Sequence, residues 1–553
     1  MSEEKANQNS PYAGRWVALV HGRVVAQGGT PEQALHASQA SRYKEKPEIQ
    51  FMAVAFALPP LIQKIKTVLP PGQEVYLVGG AVRDLLMSRL SPDLDFALPS
   101  SGISLARAVA NSLHADFMIL DEERDTGRVI LTHEDGTFTF LDFATYRGAT
   151  LEDDLRDRDF TINAIALQLH DLTVIDPLNG ASDIRAKTIR TCSPTSMAND
   201  PVRILRGIRL AASLGFSIDK STREAMKQAA DGIERVSVER LRDEIFKILG
   251  GPKASASIRA LEMLGVLKHL MPELLKMKGV MQSAPHIHDV WTHTLSVMDY
   301  LDMLLSTLRL NFDAETTSDM FMGLINLRIG RYREQLAEHL NRSLNPNRSY
   351  RSLLFFAALY HDVCKPDTRS VDENGRIRFF DHEQKGAEVI AERARSFNLS
   401  NDEVERLSTI VEHHMRFHGF AARLEKEGQP PSRKAIYRFF RDSNRAGIDL
   451  ILLALSDVRG TSGTELSQAS WTAYLDIARI LLENYWEKPE EVINPPRLLD
   501  GNELMQELSI KPGRMVGQLL ELIRENQAAG KIETKDQALA FARAELPKLM
   551  GVV

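Results

Sequence analysis

Two aspartates one residue apart, Asp93 and Asp95, follow the run Glu74-Val75-Tyr76-Leu77-Val78, the glycine pair Gly79-Gly80 and a helix opening at Ala81 that carries Arg83. Alternate side chains of an extended strand point the same way, so both carboxylates can address one divalent-metal cluster about 3.5–4 Å across. Glycine lets the backbone come close to phosphate oxygens, and the first turn of a helix turns unpaired N–H groups and a positive dipole end to the same anion. Arg83 would add a mobile positive charge. This order of parts suits metal-assisted transfer of a phosphoryl or nucleotidyl group. A third carboxylate, Asp142, interrupts the apolar strand Thr139-Phe140-Leu141-Asp142-Phe143-Ala144, where an unpaired acid is costly unless it meets a partner or a metal. The plainer alternatives are an edge-strand charge facing water for Asp142 and a polar turn after Pro92 for the pair.

These acids need strands to hold them, and the pattern from about residue 55 to 190 supplies them at 74–78, 94–97, 117–120, 128–132 and 137–144, mixed with helical segments. That mixture reads as an α/β unit. Beyond Asp200 the strand signals stop and helical periodicity runs to the end, punctuated by Pro285, Pro430-Pro431 and Pro495-Pro496, so the second half is expected to be all-α. Before the α/β unit, Trp16–Val20 and Arg23–Ala26 flank a tight turn at His21-Gly22, and a short helix follows from Thr30. This module carries no evident chemistry.

The whole chain bounds the reading. Its 553 residues exceed one hydrophobic core, and 43% hydrophobic with 26% charged residues is ordinary globular composition. The formal charge of −6 leaves any nucleic-acid contact to local basic patches. Two cysteines, Cys192 and Cys364, argue against a disulfide framework and for a reducing, cytoplasmic setting. The apolar stretch 51–58 is far shorter than the roughly 20 residues that span a bilayer, and no membrane association is expected.

Charges recur ahead of two helices. Asp154-Leu155-Arg156-Asp157-Arg158-Asp159 precedes an apolar run, and Asp200-Pro201-Val202-Arg203 opens a helix in which Arg203, Arg206 and Arg209 recur every third residue. Three such guanidiniums fan across about 120° of one side. Paired with Asp200 they would suit the edge of a base, although a solvated helix face remains the bland alternative.

A second constellation lies in the helical half. His293, the doublet His361-Asp362 after the apolar run 353–360, and Asp457 after 448–455 come from separate helices. Imidazole and carboxylate ligands gathered in this way can enclose a hydrolytic metal centre. His382, His413 and His414 fall between the doublet and Asp457.

Gly79-Gly80-Ala81-Val82-Arg83-Asp84, Asp93-Leu94-Asp95, Arg158-Asp159-Phe160-Thr161-Ile162-Asn163-Ala164 and Asp200-Pro201-Val202-Arg203-Ile204-Leu205-Arg206-Gly207-Ile208-Arg209 together resemble the ordered motifs of class II tRNA nucleotidyltransferases and bacterial poly(A) polymerases. His293, His361, Asp362 and Asp457 resemble the HD phosphohydrolase pattern, with His382, His413 and His414 as further ligands where two metals bind. The resemblance implies an α+β multidomain protein: a small module over 1–50, a polymerase-β-like nucleotidyltransferase head over 51–190, a helical neck over 191–280, an HD domain over 281–465 with an insertion at 302–350, and a helical tRNA-binding tail over 466–553. It implies that Asp93 and Asp95 bind catalytic Mg2+ and that Asp142 completes the acidic cluster. Gly79, Gly80 and Arg83 would hold the triphosphate, Arg158 and Asp159 the sugar and phosphates, and Asp200 and Arg203 the base edge, with Arg206 and Arg209 braced nearby. Partners would be tRNA, ATP and CTP, and the HD site would take a transition metal or Mg2+.

Two positions depart from the pattern, Asn199 where many members carry an acid and Asp157 where an arginine is common. Residues 120–129 look closer to lineages in which CC addition and A addition are split. Open alternatives are poly(A) synthesis, and an HD hydrolase whose head only holds RNA. Lys511 and Arg514 in the tail would suit phosphate contacts.

Overall fold

The computed structural model describes residues 12, 15–39, 45–52, 58–70, 72–89, 93–134, 137–311 and 320–550. The expected turn at Pro92, most of the apolar stretch 51–58 and part of the proposed insertion lie outside them. Two sheets of the first unit are built from Arg15–Val20 (β1), Arg23–Gly28 (β2), Glu48–Met52 (β3), Tyr76–Val78 (β4), Asp93–Leu98 (β5), Asp116–Asp121 (β6), Thr126–Thr132 (β7), Phe138–Thr145 (β8), Ala166–Gln168 (β9) and Val174–Ile175 (β10), and a short parallel pair joins Thr188–Ile189 to Ser217–Ile218, past the point where strands were expected to stop. The first three pair as β2-β1-β3, and the next seven form one mixed sheet in the order β10-β9-β4-β5-β8-β7-β6.

The sheet is built on period-2 patterning. Along β5, exposed Asp93 and Asp95 alternate with buried Leu94 and Phe96, so the apolar face enters the core and both acids leave from the other side. On β8 the buried Leu141 and Phe143 flank the half-buried Asp142. Phe96 and Phe143 stack across the parallel β5–β8 pair with ring centroids 4.6 Å apart, a contact worth about 0.5–1.5 kcal/mol beyond its buried area. Register is strongly fixed here, because a one-residue slip would carry the aspartates into the core. Since β8 lies between β5 and β7, Asp142 is on an interior strand.

The 120–129 stretch is the β6–β7 turn. Its Asp125 accepts the backbone N–H groups of Gly102 and Ile103 at 2.7 and 3.0 Å, capping the helix Gly102–Leu113, and the Thr145 hydroxyl at 2.6 Å. The N-terminal module is likewise tied down: Arg15 meets the fully buried Asp176 at 3.6 Å, and Asp176 accepts the N–H of Gly180 and of Ala181.

The chain separates into two compact units, 1–236 and 237–553, so the boundary falls inside the segment expected to be the neck. The second unit is helical, but not wholly so. Hairpins at Ser343–Asn345 with Arg348–Ser349 and at Arg369–Val371 with Ile377–Phe379 interrupt it. Both are short and polar, which hides them from a periodicity reading. The second closes on a turn in which Asp372 accepts the N–H groups of Asn374 and Arg376. The last three helices share a core of Leu504, Leu519, Ile523, Ala538 and Ala542. Among the described residues no helix is long and apolar enough to cross a membrane.

Candidate functional site

At the acidic face of the seven-stranded sheet, the strand register does what the aspartate spacing predicts. Asp95 is the residue opposite Asp142 in the parallel β5–β8 ladder and opposite Val78 in the antiparallel β4–β5 ladder. Val78 leads into Gly79, whose φ of +75° and ψ of −142° an L side chain rarely adopts. A Cβ there would stand 3.2 Å from Asp95 Oδ2 and 3.2 Å from Arg158 Nη1. The glycine therefore brings backbone, carboxylate and guanidinium together. Although Asp95 opens to solvent on the sheet face, the protein packed around its carboxyl, then the Asp142 and Asp93 charges, raise it above its ordinary pKa despite the opposing pull of Arg158 and Arg128. Such crowding of acids calls for cations, and an all-oxygen donor set suits a hard ion such as Mg2+.

The arginines are more constrained than their spacing suggests. Arg83 is buried, with Nε donating to Asp84 at 2.9 Å and Nη1 to Asn163 at 2.8 Å. It braces the glycine turn and is no freely swinging charge. Asn163 donates to Asp159 Oδ1 at 3.0 Å, and Arg206 Nε donates to Asp159 Oδ2 at 2.9 Å. One chain of hydrogen bonds thus runs Asp84–Arg83–Asn163–Asp159–Arg206, joining the helix Gly80–Leu86 to the helix Arg203–Leu214. Burial would raise the Asp159 carboxyl, and Arg206 and Asn163 more than reverse it.

Arg203 is a clamp. Its Nη1 donates to Ser196 Oγ at 2.6 Å and the Arg158 carbonyl at 3.2 Å, its Nη2 to the Asp157 carbonyl at 2.7 Å, and its Nε lies 3.8 Å from Asp200. It fixes the backbone that carries Arg158 while steering Asp200. Arg158 itself donates to the buried Asp154 at 2.9 Å. Arg209 is half-buried on the same helix. The sequence reading gave no role to Asp154, Asn163 or Arg128, whose guanidinium forks onto Asp142; Asn163 and Arg128 gain their meaning from partners on other elements, Asp154 from Arg158 four residues on.

The second unit gathers the histidines. His293, His361 and Asp457 offer ligand atoms within 4.8 Å of one another, and so do Asp362, His382 and His414. Asp362 joins the two sets: Oδ2 faces His361 at 3.3 Å and His293 at 3.4 Å, while Oδ1 faces His382 at 3.4 Å and His414 at 3.8 Å. The ring orientations test whether this is a metal site. Nδ1 of His361, His382 and His414 lies 2.7–2.8 Å from the carbonyl three residues back. A carbonyl only accepts, so each Nδ1 carries a proton, and in its neutral form each ring would turn a bare Nε2 to the centre, as a metal ligand must. The His382 and His414 Nε2 atoms stand 3.4 Å apart, close enough for one cation to be held by both.

Burial lowers His414 to about 3, reinforced by His361 and His382, keeping it neutral and ready to ligate. Burial would also raise Asp362 and Asp457, but the neighbouring histidines, with Lys365 beside Asp362, hold both well below the carboxylate range. His413 is half-buried and lies outside both sets. His418, which the sequence reading passed over, lies 2.9 Å from Asp457 Oδ2 and 2.8 Å from the Tyr474 hydroxyl. Lys365 Nζ stands 2.6 Å from Asp362 and 2.7 Å from Gln282.

Residues 75–190 match the poly A polymerase head domain, 215–277 a family described as "Probable RNA and SrmB- binding site of polymerase A", and 327–440 the HD domain. An A-adding tRNA nucleotidyltransferase of Deinococcus radiodurans is 32% identical over 484 residues, spanning 86% of this chain and 95% of that protein. The chain belongs to the tRNA nucleotidyltransferase family. A CC-adding member from Thermus thermophilus is 30% identical over 85% of this chain and 93% of its own. Its fold is shared with a CCA-adding enzyme solved with ATP (TM-score 0.56, 21% identity, 89% of this chain and 96% of that one) and with the Thermotoga maritima CCA-adding enzyme solved with tRNA (TM-score 0.53, 21% identity, 88% and 96%). The HD match stops short of His293 and Asp457, which the fold nevertheless delivers to the same centre. The chain is thus a nucleotidyltransferase, and both of its families are metal-dependent.

Proposed function

We propose that this nucleotidyltransferase adds part of the CCA end to tRNA, without a template, from ATP or CTP. The observation that carries the chemistry is the Asp95–Asp142 register beside the Gly79 cradle. The specificity rests on the relatives. Four that cover 91–95% of their own length are named A-adding or CC-adding, whereas a multifunctional CCA protein of Dechloromonas aromatica, 33% identical, matches only 52% of this chain.

Asp93 and Asp95 would hold Mg2+, which would activate the RNA 3′-hydroxyl and stabilise the leaving pyrophosphate. The 3′-oxygen bonds to the α-phosphorus as the bond to pyrophosphate breaks, and the hydroxyl proton departs into the carboxylate cluster. The Gly79-Gly80 backbone receives the triphosphate. Arg158, aimed past Gly79, neutralises it. Asp200, steered by Arg203, reads the base edge, with Arg206 and Arg209 on the same helix face. Exposed Lys511 and Arg514, at the opening of the helix Arg514–Ala528, contact tRNA phosphates. Two free cysteines suit a reducing cytoplasm.

The bridged ligand sets favour a second activity, hydrolysis of phosphate esters at RNA ends by the HD centre. His293, His361, Asp362 and Asp457 would hold one cation, and Asp362, His382 and His414 another. A mixed nitrogen and oxygen set suits a divalent transition metal.

Three tRNA transcripts, ending before the tail, after one C and after both Cs, each supplied with CTP, with ATP or with both, test the reading. An A-adding enzyme extends only the last, with ATP; a CC-adding enzyme extends the first two, with CTP, and stops. Complete CCA on the first transcript would overturn the split reading. A ladder of many As would favour poly(A) synthesis.

A further inference from the structure

Arg128 on β7 stands directly opposite Asp142 on β8. Its guanidinium closes a two-pronged fork on that carboxylate, Nε on Oδ1 and Nη2 on Oδ2, both at 2.7 Å. The guanidinium carbon sits 4.8 Å from the centre of the Phe140 ring, which fixes the fork's approach. The two side chains are 30% and 22% exposed, so the pair belongs to the catalytic face and is no buried staple. Its neighbours are acids. Asp142 lies opposite Asp95 on β5, with Asp93 two residues earlier on the same face, and all three carboxylates favour the charged guanidinium.

A fork of this kind engages one lone pair of each Asp142 oxygen and sets a positive charge beside the carboxylate, so a metal ion approaching it meets both a fixed orientation and a like charge. Without Arg128, three carboxylates on adjacent strands would face one another with less positive charge to offset them, and attraction for a divalent ion would rise accordingly.

We propose that Arg128 is the resident counter-cation of the acidic cluster: it holds Asp142 and competes with a divalent ion for it, so that Asp93 and Asp95 form the primary metal site and Asp142 joins only on release of the fork. This rests on the reading of Asp93 and Asp95 as metal ligands. The device gives the head an ordered assembly. In the resting state the site keeps its shape without a full metal complement, and Asp142 is handed over as a further cation arrives.

Mn2+ binding by the full-length chain, followed by electron paramagnetic resonance of the free ion, tests this. Every arm carries His361→Ala and Asp362→Ala, so that the HD centre does not draw the probe. Arg128→Met preserves the stem over Phe140 and removes the charge; it should bind Mn2+ about tenfold more tightly at the head. Asp142→Asn should abolish that gain in the Arg128→Met chain, yet change affinity less than about twofold where Arg128 is intact. Arg128→Lys, keeping charge without the fork, should fall between.

Unchanged or weaker Mn2+ binding by a folded Arg128→Met chain would overturn the proposal and leave Arg128 as a strand pin that affects melting temperature alone. Should that variant not fold, Asp142→Asn beside an intact Arg128 decides: a loss of affinity as large as that of Asp95→Asn would overturn it, and retained affinity would support it. Retained Mn2+ binding in Asp95→Asn would instead defeat the underlying metal-site reading.

Discussion

At the scale of single residues, the proposed function separates groups that would meet substrate from groups that aim them. Asp93 and Asp95 could be read from spacing alone, because period 2 is a local property of a strand. Asn163 could not, because its importance lies in bridging Arg83 and Asp159, residues 80 and 4 positions away. Asn163→Ala leaves both partners short of a hydrogen bond inside the protein, a cost of about 1–3 kcal/mol. The expected outcome is a lower melting temperature and a raised KM for the nucleotide, with a smaller fall in kcat, in steady-state incorporation. Asp93→Asn, by contrast, removes a group that acts on the reacting atoms. It should lower kcat by about 10³-fold or more while the melting curve stays in place. If Asn163→Ala behaved like Asp93→Asn, the aiming role assigned to the Asp84–Arg206 chain would be wrong.

At the scale of elements, β5 and β8 were legible because their acids interrupt apolar alternation, whereas the pairing of β8 with β7 through Arg128 is a contact between two strands that neither strand's own alternation records. The segment before His361 shows a similar limit. Read from sequence as part of an insertion, it delivers Arg348 to Glu403, a buried fork with Nε 2.6 Å from one oxygen, while Glu403 also closes a capping box with Ser400. Such a long-range ion pair leaves no trace in periodicity. Burial alone would raise the Glu403 carboxyl, but Arg348 and the Ser400 N–H and hydroxyl bring it below its ordinary value. A glutamate titrating near 4.3 when unfolded and lower when folded contributes stability that is complete above about pH 4.3 and disappears as pH falls through the folded value. Arg348→Met should therefore cost about 3–5 kcal/mol at pH 7 in urea unfolding. That gap between variant and parent should narrow below about pH 4, and a gap independent of pH would refute the assignment.

At the scale of the whole molecule, every residue placed at the transferase face lies within 1–236 and every HD ligand within 237–553. The four motifs and the histidine order were readable because each is a short string. The division at Val236 was not, because helical periodicity continues through it without a break in composition. Two candidate sites whose ligands come from two different units need not share chemistry, and energetic effects of changes that share no partner add. Asp93→Ala should abolish nucleotide incorporation and leave release of p-nitrophenol from its phosphate ester, with Mn2+, Co2+ or Ni2+ supplied, within about twofold of the parent. Asp362→Ala removes the one carboxylate that faces both ligand sets, so it should abolish that hydrolysis and lower bound transition metal in the purified chain. Its incorporation of nucleotide into a tRNA transcript should stay within about twofold of the parent. The decisive arm is Asp362→Ala with tRNA whose 3′-end is already a free hydroxyl, since trimming is then unnecessary. If transfer to that end failed as well, the head would not be a self-sufficient transferase, and the HD centre would have to be counted among the parts that complete it.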